Sequence, residues 1–270
     1  MEIKDKKYKH KVWLEAQVAA GLKTHEIAQM CGVKKATIAK WASTLKVPMV
    51  HWSARTRKYD MDHTFFNVID TEPKAYALGL WAADGTVLRT GWEARLKLHQ
   101  RDSDILRALQ DDIEFTGPLR VDGVSRCLAL CSVDIVHGLA AHGVHPNKTT
   151  TLQFPAFITD RRLLLHYLRG MFDGDGSIGK QVRLVTGSKP FVTGFQAWYT
   201  ATYGKPVYTL QEDNIYRVVC NRRDAEFIHD MYTGATVYMS RKYASYLRHW
   251  RGYTYTGPRP KRKPYKDRKS

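Results

Sequence analysis

The chain has 270 residues, room for one large domain or two modest ones. It carries 43 Lys and Arg against 26 Asp and Glu, a formal net charge of +17, and hydrophobic residues make up 43% of it. That fraction supplies a packed core and excludes wholesale disorder, while the charge points to a polyanionic partner, nucleic acid or an anionic surface. No apolar run approaches 18 residues and the opening MEIKDKKYKH has no apolar stretch behind its charges, so neither a membrane span nor a secretory signal is expected. Cys31, Cys127, Cys131 and Cys220 are scattered and read as reduced, buried thiols of an intracellular protein. His137, His142 and His145 crowd one segment without a cysteine or carboxylate at ligand spacing, so no zinc site is expected there.

Residues 1–60 hold 13 Lys and Arg against five Asp and Glu. From Lys11 to Lys46 three helical patterns succeed one another. Val12, Trp13, Ala16, Val18 and Ala19 form an apolar stripe ending at Gly21, and Thr24 offers a cap before Ile27, Ala28 and Met30. After Gly32, Ile38, Trp41 and Leu45 point inward while Lys34, Lys35, Thr37 and Lys40 point outward. Small Ala28, Gly32 in the turn and apolar Ile38 have the spacing of a helix-turn-helix, whose third helix would present those lysines and the threonine to a major groove. Residues 1–46 are thus expected to form a DNA-binding module. Residues 47–72, with His51, Trp52, Arg55, Arg57 and Lys58, read as a basic extended linker, suited to tracking a phosphate backbone or simply to tethering.

The rest of the chain contains a duplication. AYALGLWAADGTV (75–87) and LHYLRGMFDGDGSI (165–178) share their apolar frame, a glycine and an Asp-Gly, which makes Asp84 and Asp175 equivalent. Arg95-Leu96 then matches Arg183-Leu184, Cys131 matches Cys220, and Lys148 lies near the place of Lys242. Residues 73–160 and 161–254 each read as helix, two strands, helix, two strands, helix, an α+β architecture with antiparallel sheets. In the first copy the hairpins turn at Thr90-Gly91 and Asp122-Gly123, with helices over 102–114 and 133–142. In the second, QVRLVT precedes a helix over 190–203, a hairpin turns at Glu212-Asp213-Asn214, and a helix covers 223–232. Glu93, Arg95, Lys97 and His99 alternate with apolar neighbours, as do Gln181, Arg183 and Val185, so one face of each sheet can point Arg, Lys and Gln at DNA. In the second hairpins Arg120, Arg126, Gln211 and Arg217 are further candidates. The tail, 255–270, holds seven Lys and Arg against one acid, is rich in proline, and is expected to be disordered and to lie along phosphates.

Small residues recur about one turn apart in both motif helices, Gly79 with Ala82 and Ala83, and Gly170 with Gly174. They let two helices pack closer than the usual ~8–10 Å and set Asp84 beside Asp175 at the paired C-termini. Two carboxylates ~5 Å apart repel by roughly 3 kcal/mol at an effective dielectric of ~20, and the helix dipoles add to the repulsion. A divalent cation reverses the sign, and hard oxygen ligands suit Mg²⁺. Metal beside a basic nucleic-acid surface points to phosphodiester hydrolysis.

LGLWAADG and LRGMFDGDG resemble the two motifs of single-chain LAGLIDADG homing endonucleases, over roughly residues 71–246. The resemblance implies two pseudo-symmetric αββαββα halves whose sheets form a saddle over double-stranded DNA, and a monomer that cuts both strands at a long, asymmetric site inside the cell. It implies Mg²⁺, or Mn²⁺, on Asp84 and Asp175 and on the carbonyls of Ala83 and Gly174. It further implies catalytic roles for Gln100, for Lys148 in GVHPNKT and for Lys242 in SRKY, where Arg241 stands adjacent; the second-half counterpart of Gln100 falls near Ser188-Lys189. Ala82 stands where many members have an acid. A transcription regulator of the same fold that binds without cutting, and an RNA maturase acting on intron RNA, are the alternative functions. The presence of both aspartates favours the nuclease.

Overall fold

In the computed structural model the described residues are 6–20, 22, 24–47, 58–88 and 92–254. The basic tail, the Thr90-Gly91 turn, Gly21, and His51, Trp52, Arg55 and Arg57 of the expected linker lie outside them. The chain divides into two compact units, Met1–Tyr59 and Asp60–Ser270.

The first unit is α-helical: α1 (Lys11–Ala19), α2 (Thr24–Met30) and α3 (Lys35–Leu45). Leu14, Ile27, Ala28, Ile38 and Ala42 are buried together with Tyr8 and Val47. Gly32 takes a left-handed conformation (φ 63°) between α2 and α3, and the Val33 N–H donates to the Ala28 carbonyl, which closes the turn. Four expected inward positions, Val12, Ala16, Ala19 and Met30, point out instead. Val12 is 79% exposed because α1 enters the core through Leu14, and Met30, in the last turn of α2, is 60% exposed.

The second unit contains two halves of one design. In chain order the first holds α4 (Glu72–Ala83), β1 (Gly85–Val87), β2 (Glu93–His99), α5 (Ser103–Asp112), β3 (Arg120–Asp122), β4 (Ser125–Cys131) and α6 (Val133–Ala141). The second holds α7 (Arg161–Asp175), β5 (Gly176–Ile178), β6 (Val182–Thr186), α8 (Lys189–Tyr203), β7 (Tyr208–Glu212), β8 (Ile215–Cys220) and α9 (Ala225–Tyr232). A further helix, α10 (Ser240–His249), follows. Each half builds a four-stranded antiparallel sheet, in the orders β1-β2-β4-β3 and β5-β6-β8-β7. The alternation read from the sequence holds: Ala94, Leu96 and Leu98 are buried, as are Val182 and Leu184, while Lys97, His99, Arg183 and Val185 face out.

Three expectations need correction. Residues 60–72 are not all linker, because Phe65 and Phe66 are buried and Phe66 meets Trp81 of α4 edge to face; the two aromatics belong to the core of the first half. Cys131 and Cys220 are not equivalent: Arg95 pairs with Ala129 and Arg183 with Val219, which leaves Cys131 opposite Glu93 but Cys220 opposite Val182. All four cysteines are free, as expected, yet only Cys127 and Cys220 are buried, and Cys131 is exposed.

A charged network joins the start of α4, the middle of α7 and the segment before α10. Arg169 of α7, wholly buried, donates to Glu72 Oε1 (2.6 Å), to the Met231 and Val237 carbonyls, and pairs with His166 Nδ1. The same Glu72 oxygen accepts from the Thr236 and Val237 amides. Burial and the Arg169 charge push His166 down to about 4, so it stays neutral in this network at neutral pH.

Candidate active site

Helices α4 and α7 cross with backbone against backbone. A methyl group on Gly79 would overlap the Tyr167 carbonyl, and one on Gly170 would overlap the Tyr76 carbonyl and come within 2.8 Å of the Leu80 nitrogen. Only glycine fits at either position. The helices therefore end together: Asp84 caps α4 and Asp175 closes α7, and a methyl on Gly174 would lie 3.0 Å from Asp84 Oδ2. Each helix then runs into a short strand whose glycine, Gly85 or Gly176, also admits no side chain.

Lys148 and Lys242 approach these ends in matching fashion. The Lys148 ammonium donates to the carbonyls of Gly85 (2.5 Å) and Ala83 (3.5 Å). Lys242 donates to the carbonyls at the equivalent positions, Gly176 (2.8 Å) and Gly174 (3.2 Å), and to those of Phe172 (2.9 Å) and Asp173. Lys242 thus takes the place that the sequence divides between it and Arg241. Arg241 turns instead to Asp102 Oδ1, 2.6 Å away.

The halves differ one position into each motif. Asp173 is fully buried and accepts from Tyr76 Oη (2.9 Å), Tyr232 Oη (2.8 Å) and the Met239 amide (2.8 Å), which fixes the start of α10 and with it Lys242. Ala82 occupies the corresponding place in α4 and provides no such anchor. Lys148 sits on a single 3₁₀ turn and is half-buried, whereas Lys242 is 3% exposed.

Electrostatics follow from this crowding. Loss of water raises Asp84, against the pull of Lys242 and Lys148, and loss of water together with the Asp84 charge pushes Asp175 up to about 6. Both aspartates still reach solvent at the open end of the helix pair, which screens the repulsion in part. Burial lowers Lys148 and brings Lys242 down to about 8. Two carboxylates and the carbonyls of Ala83 and Gly174 make a set of hard oxygen donors that fits a divalent cation. Among the described residues no group of three or more His, Cys, Asp and Glu gathers at one place, so a metal here would rest on paired carboxylates, carbonyls and water.

The remaining candidates lie apart from this centre or at its edge. Gln100 opens a 3₁₀ turn after β2, exposed, with its backbone N–H donating to the Val124 carbonyl. Next to it lies Asp102, which the sequence reading missed; it is 4% exposed, and its charge reaches Asp84 and Lys242. Its pattern in sequence is that of an ordinary helix-capping acid. On the outward sheet faces Arg95 pairs with Glu93 (2.9 Å), Lys97 with Asp122 (2.6 Å) and Arg217 with Glu212 (2.6 Å), and Arg183 donates to Gln181 (2.6 Å). In the first unit Lys34, Lys35 and Lys40 are exposed at and along α3, with Thr37 half-buried between them.

No protein-family model matches the sequence, and no curated protein does. Several solved structures are similar to the chain. The homing endonuclease I-DmoI in complex with DNA and Ca is 14% identical over 70% of this chain and 99% of its own, with a TM-score of 0.46. The LAGLIDADG meganuclease I-AabMI bound to uncleaved DNA is 11% identical over 67% and 92%, with a TM-score of 0.44. The N-terminal LAGLIDADG domain of DUF199/WhiA is 11% identical over 65% and 90%, with a TM-score of 0.42. Within this chain, the paired strand orders and the two helices running into Asp-Gly repeat one design twice. The second unit has two pseudo-symmetric halves in one polypeptide, each a motif helix running into Asp-Gly and a four-stranded antiparallel sheet.

Proposed function

We propose that the protein is a site-specific endonuclease that hydrolyses both strands of duplex DNA with a divalent metal, Mg²⁺ or Mn²⁺. The observation that carries the proposal is the placement of Asp84 and Asp175 side by side at two helix C-termini, with one lysine from each half on the adjoining carbonyls. Such an arrangement is unfavourable for folding alone: like charges meet, helix dipoles oppose them, and glycine is required where alanine would make a better helix. Asp84, Asp175 and the Ala83 and Gly174 carbonyls would hold the cation, which when bound supplies charge neutralisation and an activated water to phosphodiester hydrolysis.

The chain's own groups do the rest. Lys148 Nζ and Lys242 Nζ hold positive charge where negative charge develops, and Lys242, at about 8, can hand over or take up a proton near neutral pH. The exposed side-chain amide of Gln100 would orient water or phosphate. The outward faces carrying Arg95, Lys97, Gln181, Arg183 and Arg217 position the duplex, and Lys34, Lys35, Thr37 and Lys40 of the N-terminal helices, in a helix-turn-helix, add contacts. One chain supplies both halves of the site, so a monomer suffices.

The test is a randomised duplex library incubated with protein and Mg²⁺, with the cut ends sequenced. A defined cut site is expected, and Asp84→Asn or Asp175→Asn should abolish cleavage while binding persists. Full cleavage by either variant would refute the site. Binding of a defined sequence with no cleavage by the unaltered chain would make the protein a DNA-binding regulator of the same fold, and retention of structured intron RNA in place of duplex would favour a maturase.

A further inference from the structure

The two outward sheet faces differ at positions that the strand register makes equivalent. Arg95 lies opposite Ala129 and Arg183 opposite Val219, which aligns β2 with β6 and β4 with β8. Lys97, opposite Cys127, then corresponds to Val185, opposite Arg217. On the edge strands Arg120 corresponds to Leu210, and at the turn Ser125 corresponds to Ile215. Lysine, arginine and serine on the first face thus become valine, leucine and isoleucine on the second. Val185 is 39% exposed and Ile215 44%, with Leu210 half-buried between Arg217 and the sheet edge.

An exposed β-branched side chain gains nothing from a phosphate. Its setting nevertheless favours a polyanion: Arg217 is the cross-strand neighbour of both Val185 and Leu210, and Arg183 lies two residues from Val185. A surface that combines apolar groups with guanidinium groups in this way suits the major groove, where each T·A pair offers one apolar group, the thymine 5-methyl. Lys97 and Arg120 on the first face suit hydrogen-bond acceptors, of which guanine O6 and N7 are the commonest partners.

Resting on the reading of the protein as a DNA endonuclease, we propose that Val185, Leu210 and Ile215 read thymine methyl groups, so that one half of the target is specified by apolar contact and the other by hydrogen bonds from Lys97 and Arg120. The target is then chemically lopsided, with methyl-bearing pairs under β6–β8 and guanines under β2–β4.

The test uses the full chain with Ca²⁺ in place of Mg²⁺. Duplexes retained from a randomised library are sequenced, and the preferred duplex is remade with uracil for thymine in one half-site at a time, which removes methyl groups and leaves base pairing intact. Uracil in one half-site should weaken binding about fourfold per contacted methyl, the equivalent of one buried CH₂. The other half-site should tolerate it within about twofold. Val185→Ser, at an exposed position, should bind the thymine and uracil duplexes alike where the unaltered chain distinguishes them, and Ile215→Ser should do so at a neighbouring pair. A defined target that tolerates uracil in both halves, or a Val185→Ser chain with undiminished thymine preference, overturns the inference and leaves the DNA-binding reading intact. A library from which no sequence emerges overturns that reading and the inference with it.

Discussion

Replacing Gly170 with alanine probes the helix contact on which the carboxylate pair depends. The added methyl would sit on the Tyr76 carbonyl, 2.8 Å from the Leu80 nitrogen and 3.1 Å from the Gly79 carbonyl carbon. Ordinary contacts begin near 3.4 Å, so α4 must retreat by at least about 0.6 Å from Leu80 alone, and its backbone has no rotamer by which to yield. Overpacking of this kind costs up to about 3 kcal/mol, against about 1 kcal/mol gained from the better helix propensity of alanine. The net loss of about 2 kcal/mol lowers Tm by about 4–8 °C in a unit of this size. Calorimetry on the full chain measures it. Cleavage should fall further than stability, by as much as about 100-fold, because the carboxylates move with the helix that bears them. Gly79→Ala should behave alike, and the double variant should lose less than the sum, since helices already parted accept the second methyl more easily. A Tm equal to or above that of the unaltered chain would show that the two helices are not in backbone contact.

Three further outcomes are expected. A raised carboxyl in the folded state means that stability without metal is fullest below the unfolded pKa and is lost as pH rises, for Asp175 between about 4 and about 6. The thermal shift produced by Mg²⁺ should therefore grow from pH 5 to pH 7 and then level off, and a shift independent of pH, or one kept by an Asp84→Asn/Asp175→Asn chain, counts against metal at the pair. Asp173→Asn places an amide where three donors converge and leaves at least one buried group unsatisfied, a loss of roughly 1–3 kcal/mol in urea denaturation; unchanged stability would mean that the three hydrogen bonds are not made. Deleting residues 1–46 should weaken binding to the target and flatten the dependence of log K on log salt by about one unit per phosphate contact removed. An unaltered slope would leave the N-terminal helices without a role in binding.

What was legible in the sequence follows from how local each signal is. The doubled helix–Asp-Gly motif, the small residues between the helices and the period-two alternation of β2 and β6 all lie within short windows, and each recurs in space where spacing put it. Readings that depended on distant partners fared differently. Arg241 and Lys242 are neighbours in sequence, and only the start of α10, tied to Asp173, decides which of them turns to the motif carbonyls. Asp102 looks like any first-turn acid until Arg241 arrives from 139 residues away. Phe65 and Phe66 stand among polar residues that read as linker, yet Phe66 meets Trp81 and Gly138, from two helices of the first half, and Phe65 packs edge to face on Phe66. Cys131 and Cys220 align by eye because strand register cannot be counted through loops of unequal length.

The half-buried carboxylate of Glu72 bears on the order in which the molecule is made. It accepts the amides of Thr236 and Val237, 164 and 165 residues further along, and Ser240 and Arg241 bond to Asp104 and Asp102 across comparable spans. Contacts so far apart in sequence close late, because loop entropy must be overcome before they form. Lys242 lies later in the chain than those contacts, so a ribosome must finish nearly the whole second unit before the centre exists. Chains truncated before Lys242 would carry both aspartates and the outward basic faces without the second lysine of the centre.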